Sequence, residues 1–261
     1  MKVRDLSSAL QADPDSLPYP EFLGHIGLDN TPPGGHVALW HWAEYASIAS
    51  SSTILDLACN TAWVSRTLVE RFACRAYALD CARPPLLYAT HVTPPESRIR
   101  LIQGDASKLP FCSTTFTHIA AGSVFGFFTE PEAALRECER VLRPDGRLCI
   151  ATFFYHSPPP PELTSVLEKY IGFRPKEFWT RSFWRDFFAT RFRLTYSATL
   201  DLVVREPEDV VEQCTALRSG REGLLLRPID SRALRRLITT QLLLNQHRRY
   251  QGYEVQVWER R

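Results

Sequence analysis

Between residues 53 and 153, short apolar runs alternate with stretches whose apolar positions recur at helical spacing. Thr53 to Leu57 reads as a strand, the small residues Ala58-Cys59-Asn60-Thr61-Ala62 as a turn, and Trp63 to Phe72 as a helix. Cys74 to Leu79 forms a second strand ending at Asp80, and the following helix carries Pro84 in its first turn, where no intrahelical N–H is needed. A third strand, Ile99 to Gln103, closes on Gly104-Asp105. After the Leu109-Pro110-Phe111 corner come a fourth strand (Phe116 to Ala121), a helix (Glu132 to Leu142) expected to stop at Pro144-Asp145-Gly146, and a fifth strand (Arg147 to Phe153). This alternation predicts a parallel sheet covered by helices on both faces.

The flanks have another texture. Pro14, Pro18, Pro20, Pro32 and Pro33 with Gly34-Gly35 exclude one continuous helix over residues 1–35 and predict an irregular lead-in with short helical pieces. His36 to Ala49 then shows helical spacing. Four prolines at 158–161 end the regular αβ rhythm, and an aromatic-rich segment runs from Phe173 to Phe192. Arg193 to Val204 has strand composition, Glu208 to Asn245 is mostly helical, and Tyr253 to Trp258 alternates as a last strand.

Composition narrows the class. With 44% hydrophobic residues the 261-residue chain is globular, and 31 basic against 29 acidic residues leave a formal charge of +2, against wholesale binding to nucleic acid or anionic membrane. The opening MKVRDLSSALQADPDS has no apolar signal core, and the longest weakly polar run, His118 to Phe128, is about half the ~20 residues a bilayer span needs. The expectation is a cytoplasmic protein without membrane or nucleic-acid partner. Seven cysteines without a CxxC pair fit neither a disulfide framework nor a metal site.

In open α/β sheets ligands bind beyond the carboxyl ends of the strands, where strand order reverses. The residues there are Asp56 with the Ala58, Cys59 and Asn60 turn, Asp80-Cys81, Asp105-Ala106 and Gly122-Ser123. Asp80 lies 20 residues past Asn60, the distance at which a carboxylate after the second strand accepts hydrogen bonds from ribose hydroxyls. Asp105 and the Ala106 amide suit an adenine amine and ring nitrogen. The turn lacks the Gly-x-Gly-x-x-Gly that a pyrophosphate needs, and its acidic surroundings favour a cationic adenosyl ligand such as S-adenosylmethionine over NAD or ATP.

The run Ile54 to Ala62, Asp80, Gly104-Asp105-Ala106 with Leu109-Pro110-Phe111, and Glu137 to Gly146 together resemble the successive motifs of class I S-adenosylmethionine-dependent methyltransferases, most closely the small-molecule type 11 group, over roughly residues 30 to 155. Pro33-Gly34-Gly35 resembles a lead-in that some members fold over the methionine end of the cofactor. The resemblance implies a Rossmann-like, doubly wound, mainly parallel seven-stranded sheet whose last strand is antiparallel, with helical cap elements. One domain, 1–261, is expected: a cap segment (1–50), a cofactor-binding core (51–155), an aromatic-rich segment with the sixth strand (156–204), a helical cap insertion (205–250) and the last strand (251–261). The sequence departs from the family where glycines alternate in the first turn, for Ala58, Asn60 and Ala62 stand there. Asparagine is the residue that best follows glycine into positive φ.

The implied function is methyl transfer from S-adenosylmethionine to a small organic molecule, by orientation in a dry pocket. The acceptor atom is open between oxygen, nitrogen and carbon. Alternatives are non-methylating use of the sulfonium, by cyclisation or elimination, and a non-catalytic adenosyl-binding scaffold. If a base is used, His156 beside Tyr155 leads, followed by His36; His118, inside a strand, reads as core. Phe125 and Tyr155 are expected at the substrate. Gly122-Ser123-Val124-Phe125-Gly126 lacks nucleophile-elbow spacing. Eight arginines lie between Arg218 and Arg249; they form either a solvated helix face or a cap that recognises an acidic or carboxylate-bearing substrate.

Overall fold

Seven strands form one sheet in the order β3-β2-β1-β4-β5-β7-β6. They are β1 (Thr53–Leu57), β2 (Arg75–Asp80), β3 (Ile99–Gln103), β4 (Phe116–Gly122), β5 (Leu142–Tyr155), β6 (Phe192–Asp201) and β7 (Gln251–Arg260). The first five pair in parallel, whereas β7 is antiparallel to both β5 and β6. Strand order reverses between β1 and β4, which opens a crevice at their carboxyl ends. This computed structural model describes residues 13–218 and 229–261, so the lead-in before residue 13 and Arg221, Glu222 and Arg227 of the insertion lie outside the described residues.

Helices α1 (Tyr19–Ile26), α2 (His36–Tyr45), α3 (Trp63–Phe72), α4 (Arg83–Val92), α5 (Pro131–Val141), α6 (Pro161–Ile171), α7 (Arg181–Ala189), α8 (Pro207–Arg218) and α9 (Ser231–His247) complete the chain. On one face of the sheet, Leu135 and Cys138 of α5 and Trp184 and Phe188 of α7 pack on Leu55, Ile119 and Ile150. On the other, Leu39 and Trp42 of α2 and Leu68 of α3 pack on Ile54, Ala120 and Val255. These runs read as near-continuous apolar strands because both faces are buried.

A third apolar cluster joins distant parts of the sequence. Phe22 and Leu23 of α1 meet Val210 and Cys214 of α8 and Leu234 and Leu237 of α9, so the lead-in and the insertion make one cap. Arginines bolt it down. Arg236 donates to the carbonyls of Pro14, Leu17 and Tyr170 and lies 4.3 Å over the Phe22 ring, while Arg232 pairs with Asp15 at 2.5 Å and Asp13 at 3.2 Å. At Gly24, α1 packs so tightly on α4 that a Cβ would fall 2.5 Å from Pro85 Cα.

Several boundaries differ from the sequence reading: the helix after the lead-in ends at Tyr45 rather than Ala49, and β6 ends at Asp201 rather than Val204. Pro144-Asp145-Gly146 does not stand between helix and strand: α5 ends at Val141 and β5 begins at Leu142. Register jumps from Phe116↔Leu142 to His118↔Arg147, so residues 143–146 bulge from the ladder, which suits a proline with no N–H to donate. β7 is also longer than its alternating core, and its polar positions are buried too. Glu254, 1% exposed, is paired by Arg185 and bonded by Gln256, which accepts from Trp258 Nε1 at 2.8 Å.

Candidate functional site

The first turn is built on backbone that glycine usually supplies. Ala58, Asn60 and Ala62 take φ of 53°, 49° and 58°, all left-handed, so the chain keeps the geometry of a glycine-rich turn with side chains in place. Each alanine there carries strain of about 1 kcal/mol that glycine would relieve. Ala58, which is not fully buried, isolates that effect. Ala58→Gly is expected to raise Tm by about 2–4 °C, the shift of about 1 kcal/mol in a chain of this size, measured by thermal unfolding; an unchanged or lower Tm would refute the strained turn.

Carboxylates hold the turn. Asp56 Oδ2 accepts from Ser65 N at 3.0 Å and Ser65 Oγ at 2.7 Å, which anchors β1 to the first turn of α3. Burial pushes the Asp56 carboxyl up to about 6, against the lowering effect of the Ser65 bonds, with Asp80 adding like-charge repulsion. Asp80, 6% exposed, accepts from Asn60 N at 2.7 Å through Oδ2 and from Ala82 N at 2.8 Å through Oδ1. Each of its oxygens retains acceptor capacity for a hydroxyl. Burial also raises the Asp80 carboxyl, opposed by these amides.

The ends of β2 and β3 converge as expected. The Cys81 thiol is pushed up by burial and by Asp80, Asp105 and, from α1, Glu21. Asp105 is exposed and held low by Ser107, whose amide donates to Oδ1 at 2.8 Å, and Ala106 is buried. Cys59 is buried with its thiol raised well above the usual range, chiefly by burial. All seven cysteines are free thiols.

The cap reaches into this crevice. Asn60 Nδ2 donates to Pro20 O at 3.1 Å, Asn30 N donates to Thr61 Oγ1 at 3.3 Å, and Thr61 Oγ1 donates to Asp29 Oδ1 at 2.9 Å, with Arg66 2.5 Å from the same oxygen. Asn60 Oδ1 is buried and has no partner among the described residues. Two buried carboxylates and an orphan acceptor suit a ligand that brings positive charge and hydroxyl donors, which is the chemistry of S-adenosylmethionine.

Pro20, Asp29 and Asn30 also line a cavity of ≈ 320 Å³ under the cap. Gly122 and Ser123 at the end of β4, and Phe153 and Tyr155 at the end of β5, border it. A Cβ on Gly122 would fall 2.7 Å from the Pro32 side chain, so the lead-in closes over β4 only because that position is glycine. Phe127, Phe173, Trp179 and Trp184 supply aromatic surface, and α9 and the turn after it supply Gln241, His247 and Arg248.

The sequence candidates divide accordingly. Tyr155 lines the cavity, but His156 is exposed, is not among the lining residues, and has Nδ1 3.2 Å from Ser157 Oγ. His36 is exposed at the start of α2, with its ring edge-on to Trp63 at 4.8 Å. Phe125 is core: it packs on Phe128, Phe187 and Phe188, and Phe127 takes the cavity instead. His118 is buried, its Nε2 2.8 Å from Ala46 O. No motif or spacing along the sequence singles out His247. Its Nε2 lies 3.1 Å from Tyr155 Oη, and burial lowers its pKa, against a raising bond to Gln251. Its one sequence signal was its place at the carboxyl end of a long amphipathic helix.

The sheet order and its flanking helices give the Rossmann-like fold of class I S-adenosylmethionine-dependent methyltransferases. Residues 55–150 match the Methyltransferase domain family model. A 2-phytyl-1,4-naphtoquinone methyltransferase from Thermosynechococcus vestitus is 33% identical over 49% of this chain and 55% of its own length, so the chain spans about half of that curated relative. The crystal structure of MccD protein aligns with 27% identity and a TM-score of 0.76, over 89% of this chain and 100% of MccD. Haemonchus contortus phosphoethanolamine N-methyltransferase 2, solved with S-adenosylhomocysteine, shares the fold with a TM-score of 0.72 at 14% identity, over 100% of this chain and 60% of its own. Among the described residues no helix is long and apolar enough to cross a membrane.

Proposed function

We propose that this chain transfers a methyl group from S-adenosylmethionine to a small organic acceptor held in the ≈ 320 Å³ cavity. The observation that carries this reading is the meeting of the cavity with the first turn through Pro20 and Asn30. Asp80 would hold the ribose, Asp105 and Ala106 the adenine, and Asn60 with the Asp56 turn the amino-acid end. When bound, S-adenosylmethionine supplies an activated methyl carbon. The protein's part is to orient the acceptor, exclude water and take a proton. Tyr155 Oη receives the acceptor's proton as it passes its own to His247 Nε2, which leaves a neutral tyrosine and an imidazolium. A single domain in the cytoplasm fits the shared cap and the free thiols.

A second reading is favoured by the three side chains in the first turn, at the amino-acid end of the proposed cofactor site. They suit displacement on, or elimination from, the aminopropyl chain rather than at the methyl group. Incubation of the chain with S-adenosylmethionine and an extract of the source cells separates the two. S-adenosylhomocysteine with a product heavier by one methylene is the expected result by mass spectrometry. Methylthioadenosine without a methylated product would replace methyl transfer with the second reading, and neither product despite cofactor binding would favour a scaffold.

A further inference from the structure

The cavity contains a charge that no described residue neutralises. Arg248, in the turn after α9, is half-buried at its edge and has no carboxylate within salt-bridge distance among the described residues. Among the described residues its guanidinium makes one hydrogen bond, to the carbonyl of Val203 at 3.4 Å, and Tyr19 is the one neighbour that favours its charge. The other charged side chain lining the cavity, Asp29, is already committed to Arg66 and Thr61. Two other cations of the insertion behave differently: Arg232 pairs with Asp13 and Asp15, and Arg236 is spent on backbone carbonyls.

Burial and the neighbouring Arg205 both work against the charge on Arg248, so a fixed cation sits where its ionised form is penalised. Arg205 does not bring an acid with it, since its side chain bonds to Gln213. A half-buried guanidinium of this kind gains most from an oxyanion, which it can hold with two parallel N–H donors. The same cavity is lined by Phe173, Trp179 and the apolar ends of β4 and β5, surfaces that suit a flat ring system.

We propose that the acceptor is a planar aromatic or heteroaromatic compound carrying a carboxylate or phosphate, and that Arg248 binds this oxyanion and so sets substrate class. This rests on the small-molecule methyl-transfer reading, because the cavity is taken as the acceptor site. Arg248 is a binding residue here and takes no part in proton transfer.

Three probes with one ring system test it by calorimetry on the full chain: 1-naphthoate, 1-naphthyl phosphate and neutral 1-naphthol, each with S-adenosylhomocysteine present. At least one acid should bind about tenfold or more tighter than naphthol, the worth of one charge-assisted hydrogen bond. Which acid binds better distinguishes carboxylate from phosphate. Arg248→Gln should abolish the preference while naphthol and S-adenosylhomocysteine bind as before, and Arg248→Lys should restore part of it. Equal binding of acids and naphthol to the wild-type chain, no binding of either acid, or a preference that survives Arg248→Gln would each overturn the proposal. The wild-type comparison stands even if a variant fails to fold. Failure of S-adenosylhomocysteine to bind in the same cell, with the acid preference intact, would instead count against methyl transfer and leave the oxyanion site.

Discussion

His247→Phe is expected to lower kcat by about 10²- to 10⁴-fold, the usual contribution of a positioned base, with S-adenosylhomocysteine affinity unchanged. The imidazole is 2% exposed and Nε2 meets Tyr155 Oη at 3.1 Å, so phenylalanine fills the space but removes the proton acceptor. Tyr155→Phe should cost a similar factor, and the double variant little more than either alone, because a relay that has lost one member has lost its function. The pH profile gives a second readout. Burial holds the His247 pKa below the usual imidazole value, with Tyr155, Gln251 and the adjacent Arg248 around it. Its neutral form therefore persists below the ordinary imidazole pKa, and activity should fall only as pH drops through that depressed value. Stability follows the same sign: the unfolded chain takes up the proton first, so burial of neutral His247 and His118 is increasingly disfavoured as pH falls below about 6.5. A kcat within threefold of wild type in His247→Phe would refute the relay and leave orientation alone as the source of rate.

Asp80→Ala is expected to weaken S-adenosylhomocysteine binding by about two orders of magnitude, since charged-group hydrogen bonds of about 1.5–3 kcal/mol to ribose hydroxyls are lost. A second effect adds to the first. Asp80 Oδ2 also accepts from Asn60 N in the strained turn, so removal of the carboxylate leaves a buried amide unpaired. Asp80→Asn separates the two: its amide oxygen can keep Asn60 N bonded while its NH2 meets Ala82 N, so stability should return only part of the way to wild type while affinity stays low. Calorimetry and thermal unfolding read these independently. Wild-type affinity in Asp80→Ala would remove Asp80 from the cofactor site.

Much of this protein was legible in one dimension because its information is local. Parallel strands buried on both faces must be continuous apolar runs, and turns that leave their carboxyl ends must carry small or acidic residues, so β1 to β5, Asp56, Asp80 and Asp105 could be read off spacing alone. The left-handed turn was legible too, since Asn60 stands where a chain most needs a substitute for glycine. The acceptor side was not. Leu23, Leu234 and Val210 form one cluster across some two hundred residues, and no periodicity in any one of these segments states which of the others it meets. His156 adjoins Tyr155 in sequence but is exposed, while His247 reaches Tyr155 from 92 residues away because β7 runs antiparallel beside β5 and delivers the end of α9 to the same rim. The arginines of the insertion are alike as letters; only packing decided that Arg232 and Arg236 fasten the cap and that Arg248 lines the cavity with no carboxylate beside it among the described residues. Side-chain type and strand spacing follow from neighbours along the chain, whereas burial, pairing and the shape of a pocket follow from neighbours in space.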